Sequence, residues 1–273
     1  MLTITILSDN HTYNSALNAE HGFSCIIETK RKRYLFDTGN SDLFMKNAQA
    51  LNVNIVSLDG IIISHGHYDH TGGLMPYLKK FKANVYAVPG IFSERYSKKK
   101  RLHPIGVPFS QKEYERKGAN FKFVEEPLRL DENIYLTGPI PRLTEFEQVS
   151  DPFIIKTENG LVADRIMDEQ AMVLSTDKGL VVVTGCGHPG IINIINYAKK
   201  ISGEKKIEAL IGGFHLRNIN GERFRNTVDI LDKSSVNAII PLHCTGMEAS
   251  AKLFRVFPQN VKFLSVGDTF HLE

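Results

Sequence analysis

The chain of 273 residues is poor in cysteine and has no long apolar run. It contains three cysteines, Cys25, Cys186 and Cys244, and an odd number argues against a disulfide framework and for a reducing compartment. No run approaches the roughly 18–20 apolar residues of a membrane span. The first residues, MLTITILSDN, lack the basic and long apolar regions of a signal peptide. We therefore expect a cytoplasmic protein with no membrane partner.

An excess of charge of one sign is also missing. The 33 basic and 30 acidic residues leave a net charge of +3, which is too small to indicate a nucleic-acid partner. The hydrophobic fraction of 42% is enough for a sizeable core, and the length fits one large α/β domain. Because no repeat, low-complexity tract or linker divides the chain, we expect a single domain over residues 1–273.

The most informative feature is the stretch SHGHYDHTGG at 64–73. It follows the apolar run 58–63, which is typical of a buried strand, so the stretch is expected on a loop at a strand end. Four of its residues carry side chains that bind Zn²⁺ or iron, namely His65, His67, Asp69 and His70. The spacing of His65 and His67 lets both rings point the same way on an extended backbone. Asp69 and His70 are better placed to reach a second ion.

The motif HGHYDH resembles the HxHxDH signature of the metallo-β-lactamase superfamily. Further segments resemble that family in the same order: LFDTG at 35–39, VVVTGC at 181–186 and PLHCTG at 241–246. The resemblance implies an α/β fold, a four-layer αββα sandwich with one or two metal ions at one edge. It also implies that Asp37 supports the metal site from behind, that Cys186 replaces the usual aspartate, and that His243 is the last histidine ligand.

In the second half of the chain, three predicted strands each end in a histidine. The strands at 180–184, 209–211 and 238–240 are followed by His188, His215 and His243, and ligands of α/β proteins gather at the carboxyl ends of strands. No histidine lies between His103 and His188, where the superfamily usually has its third ligand. Either the first metal site has fewer protein ligands, or His188 takes that place.

Other residues are candidates for substrate binding. The helix expected at 190–201 begins in GCGHPG, and free N–H groups at such a start attract anions, which makes Gly187 a candidate. The resemblance implies that Glu20, His21 and His215 line the pocket, with Asp69 and His215 as catalytic residues. Glu20 and His21 could equally be a surface turn.

Residues 90–120 interrupt the regular pattern and are either a lid over the site or a surface excursion. As a lid, the basic residues 98–101 could steer an anionic substrate. Exposed apolar residues at 90–110 would suit a homodimer contact.

The whole set of motifs resembles a branch of metal-dependent hydrolases that includes an archaeal pterin-type synthase. It implies Zn²⁺ as one or two ions, with iron or manganese as alternatives. The first hypothesis is a hydrolase in which a metal-bound hydroxide attacks a small anionic substrate, phosphorylated or ester. The second is a pterin-type transferase that uses the ion as a Lewis acid. The third is a metal-binding sensor without turnover.

Overall fold

The computed structural model describes residues 1–98, 101–148, 151–217 and 221–273. These residues form two compact units. The first comprises Met1–Phe123, Pro152–Asp164 and Leu264–Glu273, and the second comprises Val124–Asp151 and Arg165–Phe263. The expectation of a single domain stays a prediction.

The described residues form strands, α-helices and one short 3₁₀ helix. The strands are β1 (Leu2–Ser8), β2 (Ser24–Thr29), β3 (Arg33–Phe36), β4 (Gly60–Ile62), β5 (Ala83–Ala87), β6 (Arg95–Lys98), β7 (Leu102–Pro104), β8 (Ala119–Phe123), β9 (Leu128–Asp131), β10 (Ile134–Leu136), β11 (Phe153–Thr157), β12 (Gly160–Ala163), β13 (Met172–Thr176), β14 (Gly179–Thr184), β15 (Ile207–Gly213), β16 (Ala238–Leu242) and β17 (Thr269–Leu272). The helices are α1 (Leu43–Ala50), α2 (Tyr68–Thr71), α3 (Leu74–Leu78), α4 (Gln111–Arg116), α5 (Ile191–Ser202), α6 (Gly221–Lys233) and α7 (Met247–Val256), with the 3₁₀ helix at His243–Thr245.

The first unit contains a seven-stranded mixed sheet in the order β17-β1-β2-β3-β4-β5-β8. The pairs from β17 to β3 are antiparallel, and those from β3 to β8 are parallel. Leu35 and Ile61 of this sheet share a buried cluster with Phe44 of α1 and Tyr77 of α3. Because β3 and β4 are parallel neighbours, Asp37 and Ser64, which follow them, lie at the same edge of the sheet.

A second, four-stranded antiparallel sheet of the first unit has the order β12-β11-β6-β7. Its strands come from two distant segments, 95–104 and 153–163. The segment 90–120, for which the sequence left open a lid or a surface excursion, contains β6, β7, α4 and the start of β8; its role as a lid stays a prediction. Lys98 ends β6 and Arg101 precedes β7, whereas Lys99 and Lys100 of the predicted basic cluster lie outside the described residues.

The second unit contains a six-stranded sheet in the order β16-β15-β14-β13-β10-β9. Strands β14, β15 and β16 are parallel, so their carboxyl ends meet at one edge. Ile195 of α5, Leu231 of α6 and Leu253 of α7 bury their side chains with the sheet residues Leu210 and Ile239. Within the described part of the chain, no helix is long and apolar enough to cross a membrane.

Helix α5 shows why the sequence folds this way locally. Its apolar residues recur at helical spacing, so Ile191, Ile194, Ile195 and Ala198 are buried on one face. It ends at Gly203, whose φ of 75° suits glycine and whose N–H bonds to the carbonyl of Lys199. The prediction of a helix at 190–201 is confirmed within one residue.

Candidate metal centre

The HGHYDH motif of the first unit occupies the turn from β4 into the short helix α2. His67 adopts an extended backbone and is the N-cap of α2, so Asp69 and His70 lie in the helix. The expectation that the whole motif is a loop is therefore corrected. His65, His67, Asp69 and His70 are 1%, 5%, 6% and 0% exposed, which is unusual for side chains of this polarity unless they have partners.

Two ring nitrogens of the motif point at each other. His65 Nε2 and His67 Nδ1 are 3.0 Å apart, and the rings of His65 and His70 have centroids 4.3 Å apart. In a tetrahedral zinc site with Zn–N bonds of about 2.0–2.1 Å, two ligand nitrogens are roughly 3.3 Å apart. His70 Nε2 and Asp69 Oδ2 are 3.9 Å apart, still within reach of one ion. The donor set therefore fits a divalent metal.

Asp37 supports the histidine cluster through contacts with Ser64 and His70. Its carboxylate accepts hydrogen bonds of 2.7 Å from the N–H and the hydroxyl of Ser64 and faces His70 Nδ1 at 2.7 Å. Burial raises the pKa of Asp37, and the neighbouring His70 and the Ser64 hydrogen bonds oppose that rise. A carboxylate behind a histidine fixes the ring and presents its other nitrogen, as in many metal sites.

The two substrate-binding candidates Glu20 and His21 differ in their surroundings. Glu20 accepts hydrogen bonds from the N–H groups of Asn40 and Ser41 and from two hydroxyls, those of Ser41 and Ser8. Its carboxylate therefore braces the loop after β3. His21 is exposed and its Nε2 is 3.2 Å from Asp69 Oδ2, so it is the one that lies against the metal motif.

The four-stranded sheet also packs on the motif. The ring of Phe153 in β11 lies edge-on to His67 with centroids 5.2 Å apart, and the carbonyl of Ile105 accepts the N–H of Tyr68 at 3.0 Å. Arg95 in β6 forms a buried ion pair of 2.8 Å with Asp164. A Cβ at Gly66 would lie 2.5 Å from Arg95 Nη1, so this segment supports the HGH turn closely.

In the second unit, the ligand candidates predicted from the sequence follow the carboxyl ends of β14, β15 and β16. Cys186 and His188 follow β14, His215 follows β15 and His243 follows β16. His215 and His243 have φ angles of 49° and 46°, and Asp37 of the first unit has 57°. Non-glycine residues seldom adopt such angles, and they cluster at functional sites.

Glu169 fixes the position of His188. Its carboxylate accepts the N–H groups of Gly187 and His188 and faces His188 Nδ1 at 2.6 Å. All three partners are buried. This is the same carboxylate–histidine arrangement as Asp37 and His70, and in metal sites such an arrangement orients the other ring nitrogen of the histidine toward the ion.

The start of α5 is occupied by a side chain of the protein. Glu147, which is buried, accepts the N–H groups of Ile192 and Asn193, both at 2.9 Å. The N–H groups of Gly187 and His188 bond to Glu169, so four of the donors in this region already have partners within the protein. The idea that an anion binds at this helix start is not supported.

His215 lies beside His188, with ring centroids 4.4 Å apart. Its Nε2 is 2.6 Å from Asp151 Oδ2. Burial lowers the pKa of His215, but the hydrogen bond with Asp151 and the interaction with Cys244 outweigh burial and raise it to about 9. Asp151 thus fixes the ring of His215 and favours its protonated form.

The third cysteine also belongs to this region. Cys244 donates a hydrogen bond of 3.1 Å to the carbonyl of Cys186. Burial opposes ionisation of Cys244, yet its hydrogen bonds and the nearby His215 and His243 hold its pKa well below the usual value. The ligand atoms of Cys186, His243 and Cys244 all lie within 4.8 Å of one another, as do those of Cys186, His188 and His215.

Apart from Glu20, which bonds to the loop after β3, each unit therefore brings together the histidine, aspartate and cysteine residues that the sequence singled out in it. Sequence reasoning missed the residues that support them: Ser64, Arg95, Phe153, Asp151, Glu169 and Cys244. Two of them carried a signal: Ser64 is the first residue of SHGHYDHTGG, and Cys244 directly follows His243 in PLHCTG. The acidic residues and Phe153 come from distant segments with no motif of their own.

Comparison with known proteins gives the class to which this arrangement belongs. The family model of the metallo-β-lactamase superfamily matches residues 17–146. The chain is 34% identical over 275 residues to 7,8-dihydropterin-6-methyl-4-(β-D-ribofuranosyl)-aminobenzene-5′-phosphate synthase of Methanocaldococcus jannaschii, covering 96% of this chain and 94% of that protein. The protein belongs to the metallo-β-lactamase superfamily.

Two further matches extend over nearly the whole chain. MJ0448 of the same archaeon is 36% identical over 252 residues, 92% of this chain and 93% of that protein. The crystal structure of Tm1679, described as a metal-dependent hydrolase of the β-lactamase superfamily, superposes with a TM-score of 0.86 at 31% identity and covers 100% of this chain and 99% of that one. The α/β fold of the metallo-β-lactamase type predicted from the motifs is confirmed.

Proposed function

We propose that the protein is a metal-dependent hydrolase of a small anionic substrate, either a phosphorylated compound or an ester. The observation that carries the proposal is the buried pair of ring nitrogens, His65 Nε2 and His67 Nδ1, 3.0 Å apart. Two imidazoles so close, out of contact with bulk water, are costly for a purely structural role. They are well arranged for a shared cation.

The proposed ligands are His65, His67, Asp69 and His70 in the first unit and Cys186, His188 and His243 in the second. Imidazole, carboxylate and thiolate together suit Zn²⁺, with iron or manganese as alternatives. When bound, such an ion polarises a phosphoryl or acyl oxygen and makes water nucleophilic near neutral pH. Asp37 and Glu169 would keep His70 and His188 in the tautomer that binds metal.

The remaining residues are proposed to handle substrate and protons. Asp69 Oδ2, 3.2 Å from His21 Nε2, can accept a proton and pass it to that exposed imidazole. His215, whose ring is fixed by Asp151, is proposed to bind the anionic group of the substrate. A small molecule is favoured over nucleic acid because the net charge is only +3.

A second candidate is a transferase of the pterin type. It is favoured by the 34% identity, over 96% of this chain, to the archaeal enzyme named as a dihydropterin-aminobenzene-phosphate synthase. The same metal ligands would serve it, because both reactions place an anionic group at the ion.

The test uses zinc-loaded protein with two sets of substrates. One set contains phosphomonoesters, phosphodiesters and carboxylic esters; the other contains dihydropterins with an aminobenzene ribose phosphate. We expect hydrolysis in the first set, with His67→Ala and Asp69→Asn losing both metal and turnover. The control His103→Ala changes an exposed histidine of β7 and should retain both. If the protein couples the second set of substrates and does not hydrolyse the first set, it is a transferase and not a hydrolase. If it holds its full metal content but turns over neither set, it is a sensor.

A further inference from the structure

We propose that Cys186, His243 and Cys244 form a thiolate-rich site for a soft divalent metal ion within the second unit. The inference rests on the proposed function for the roles of Cys186 and His243. It adds Cys244 as a ligand and a donor set with two sulfurs.

The sheet topology brings the three residues together. Cys186 lies two residues beyond the end of β14, and His243 and Cys244 directly follow β16, while β15 runs between these two strands in parallel. Their three ligand atoms lie within 4.8 Å of one another. Cys186 and His243 are each 4% exposed, whereas Cys244 is half-buried.

Gly213, at the end of β15, makes this approach possible. A Cβ at this position would lie 2.6 Å from Cys244 Sγ and 3.1 Å from Cys186 Cα. Because real Cβ atoms do not approach other atoms so closely, any other residue would force the two cysteines away from one another. The two cysteines can approach each other at the end of β15 only because residue 213 has no side chain.

The donor chemistry then selects the ion. Two thiolates and one imidazole prefer Zn²⁺ or Cd²⁺ over Mg²⁺ or Ca²⁺, which require oxygen ligands. In the metal-free protein, Cys244 donates its S–H to the carbonyl of Cys186 at 3.1 Å. On binding, any thiol that is still protonated loses its proton to solvent and each thiolate sulfur donates a lone pair to the ion, so at most two protons are released per ion.

Cadmium is the probe, because thiolate-to-cadmium charge transfer gives an ultraviolet absorption that histidine ligands do not. Metal-free protein kept under reducing conditions is titrated with Cd²⁺, and folding of each variant is checked by circular dichroism. We expect a band that saturates with the wild type, falls by about half in Cys244→Ser and in Cys186→Ser, and disappears in the double variant. The control Cys25→Ala changes a fully buried cysteine of β2 and should keep the whole band.

Absence of the band in the wild type, or an undiminished band in Cys244→Ser, would overturn the inference. A second measurement needs no variant: bound Zn²⁺ should protect two thiols from a thiol-specific reagent, and equal reactivity with and without Zn²⁺ would contradict it. A band without hydrolysis of any substrate would leave this inference standing while the proposed hydrolase fails.

Discussion

Asp37 and His70 are completely buried and are joined at 2.7 Å between Oδ2 and Nδ1. The same carboxylate accepts the N–H and the hydroxyl of Ser64. One side chain therefore connects the end of β3, the end of β4 and helix α2. Since a carboxylate can only accept hydrogen bonds, ionised Asp37 favours the tautomer of His70 that has the proton on Nδ1 and the lone pair on Nε2.

Replacing Asp37 by asparagine should weaken metal binding about 10–100-fold, in line with other supporting residues of metal ligands. The amide retains one acceptor, so Ser64 N–H can stay bonded, but its NH₂ group cannot accept from His70. Competition with a chromophoric chelator measures the affinity. The matched control is Asp59→Asn, which removes a half-buried carboxylate that bonds Lys32 and Arg33 before β4. Equal losses in the two variants would contradict a specific role for Asp37.

Two buried glutamates flank the GCGHPG turn and should behave differently. Glu169 bonds to His188 Nδ1, whereas Glu147 bonds to the N–H groups at the start of α5. We expect Glu169→Gln to lower metal affinity about 10–100-fold. Glu147→Gln should leave that affinity unchanged and destabilise the fold by about 1–3 kcal/mol.

Chelator competition and denaturant unfolding of both variants separate these effects. The comparison is matched because each change keeps a carbonyl oxygen and removes one negative charge. If Glu147→Gln impaired metal binding, or if Glu169→Gln bound metal normally, then Glu169 would not be the glutamate that supports metal binding while Glu147 only stabilises the fold.

Much of the fold and of the candidate site could be predicted from local sequence. The apolar strand before HGHYDH, the helix after GCGHPG and the strand ends at His215 and His243 follow from hydrophobic periodicity and glycine placement, which act over short distances. The cluster of ligand-type residues at 65–70 is visible without a structure, because four of its six residues are of types that can bind metals.

The supporting residues could not be predicted, because their roles depend on long-range contacts. Glu169 lies 19 residues before His188, and nothing around it distinguishes it from a surface glutamate. Phe153 reaches His67 only because β11 pairs with β6 across a wide gap in the sequence. The anion site expected at the start of α5 fails for the same reason: Glu147 fills it from a distant loop.

Gly66, in the middle of the HGH turn, should not tolerate a side chain. A Cβ there would lie 2.2 Å from the carbonyl oxygen of Ile91 and 2.5 Å from Arg95 Nη1. Gly66→Ala should therefore displace the turn, destabilise the fold by about 1–3 kcal/mol and reduce metal content. Gly221→Ala at the start of α6, where the nearest atom is 3.3 Å away at the end of the Arg225 side chain, is the control. Thermal unfolding and elemental analysis compare them, and similar stability of both variants would rule out close packing at Gly66.

Removal of metal should lower the melting temperature of the wild-type protein. Without an ion, His65 Nε2 and His67 Nδ1 remain 3.0 Å apart in a buried environment and at most one proton can lie between them. A ligand present at about 100 times its dissociation constant stabilises the folded state by roughly 2.7 kcal/mol, which corresponds to a shift of several degrees for a chain of this size.

Differential scanning fluorimetry with a chelator and then with added Zn²⁺ measures this shift. The rise on adding Zn²⁺ should shrink in His67→Ala, because one nitrogen of the pair is gone, and remain in His103→Ala. Mg²⁺ at the same concentration should have little effect, since it prefers oxygen ligands. If Mg²⁺ stabilised the protein as well as Zn²⁺ did, the nitrogen-rich cluster would not be the site that binds the ion.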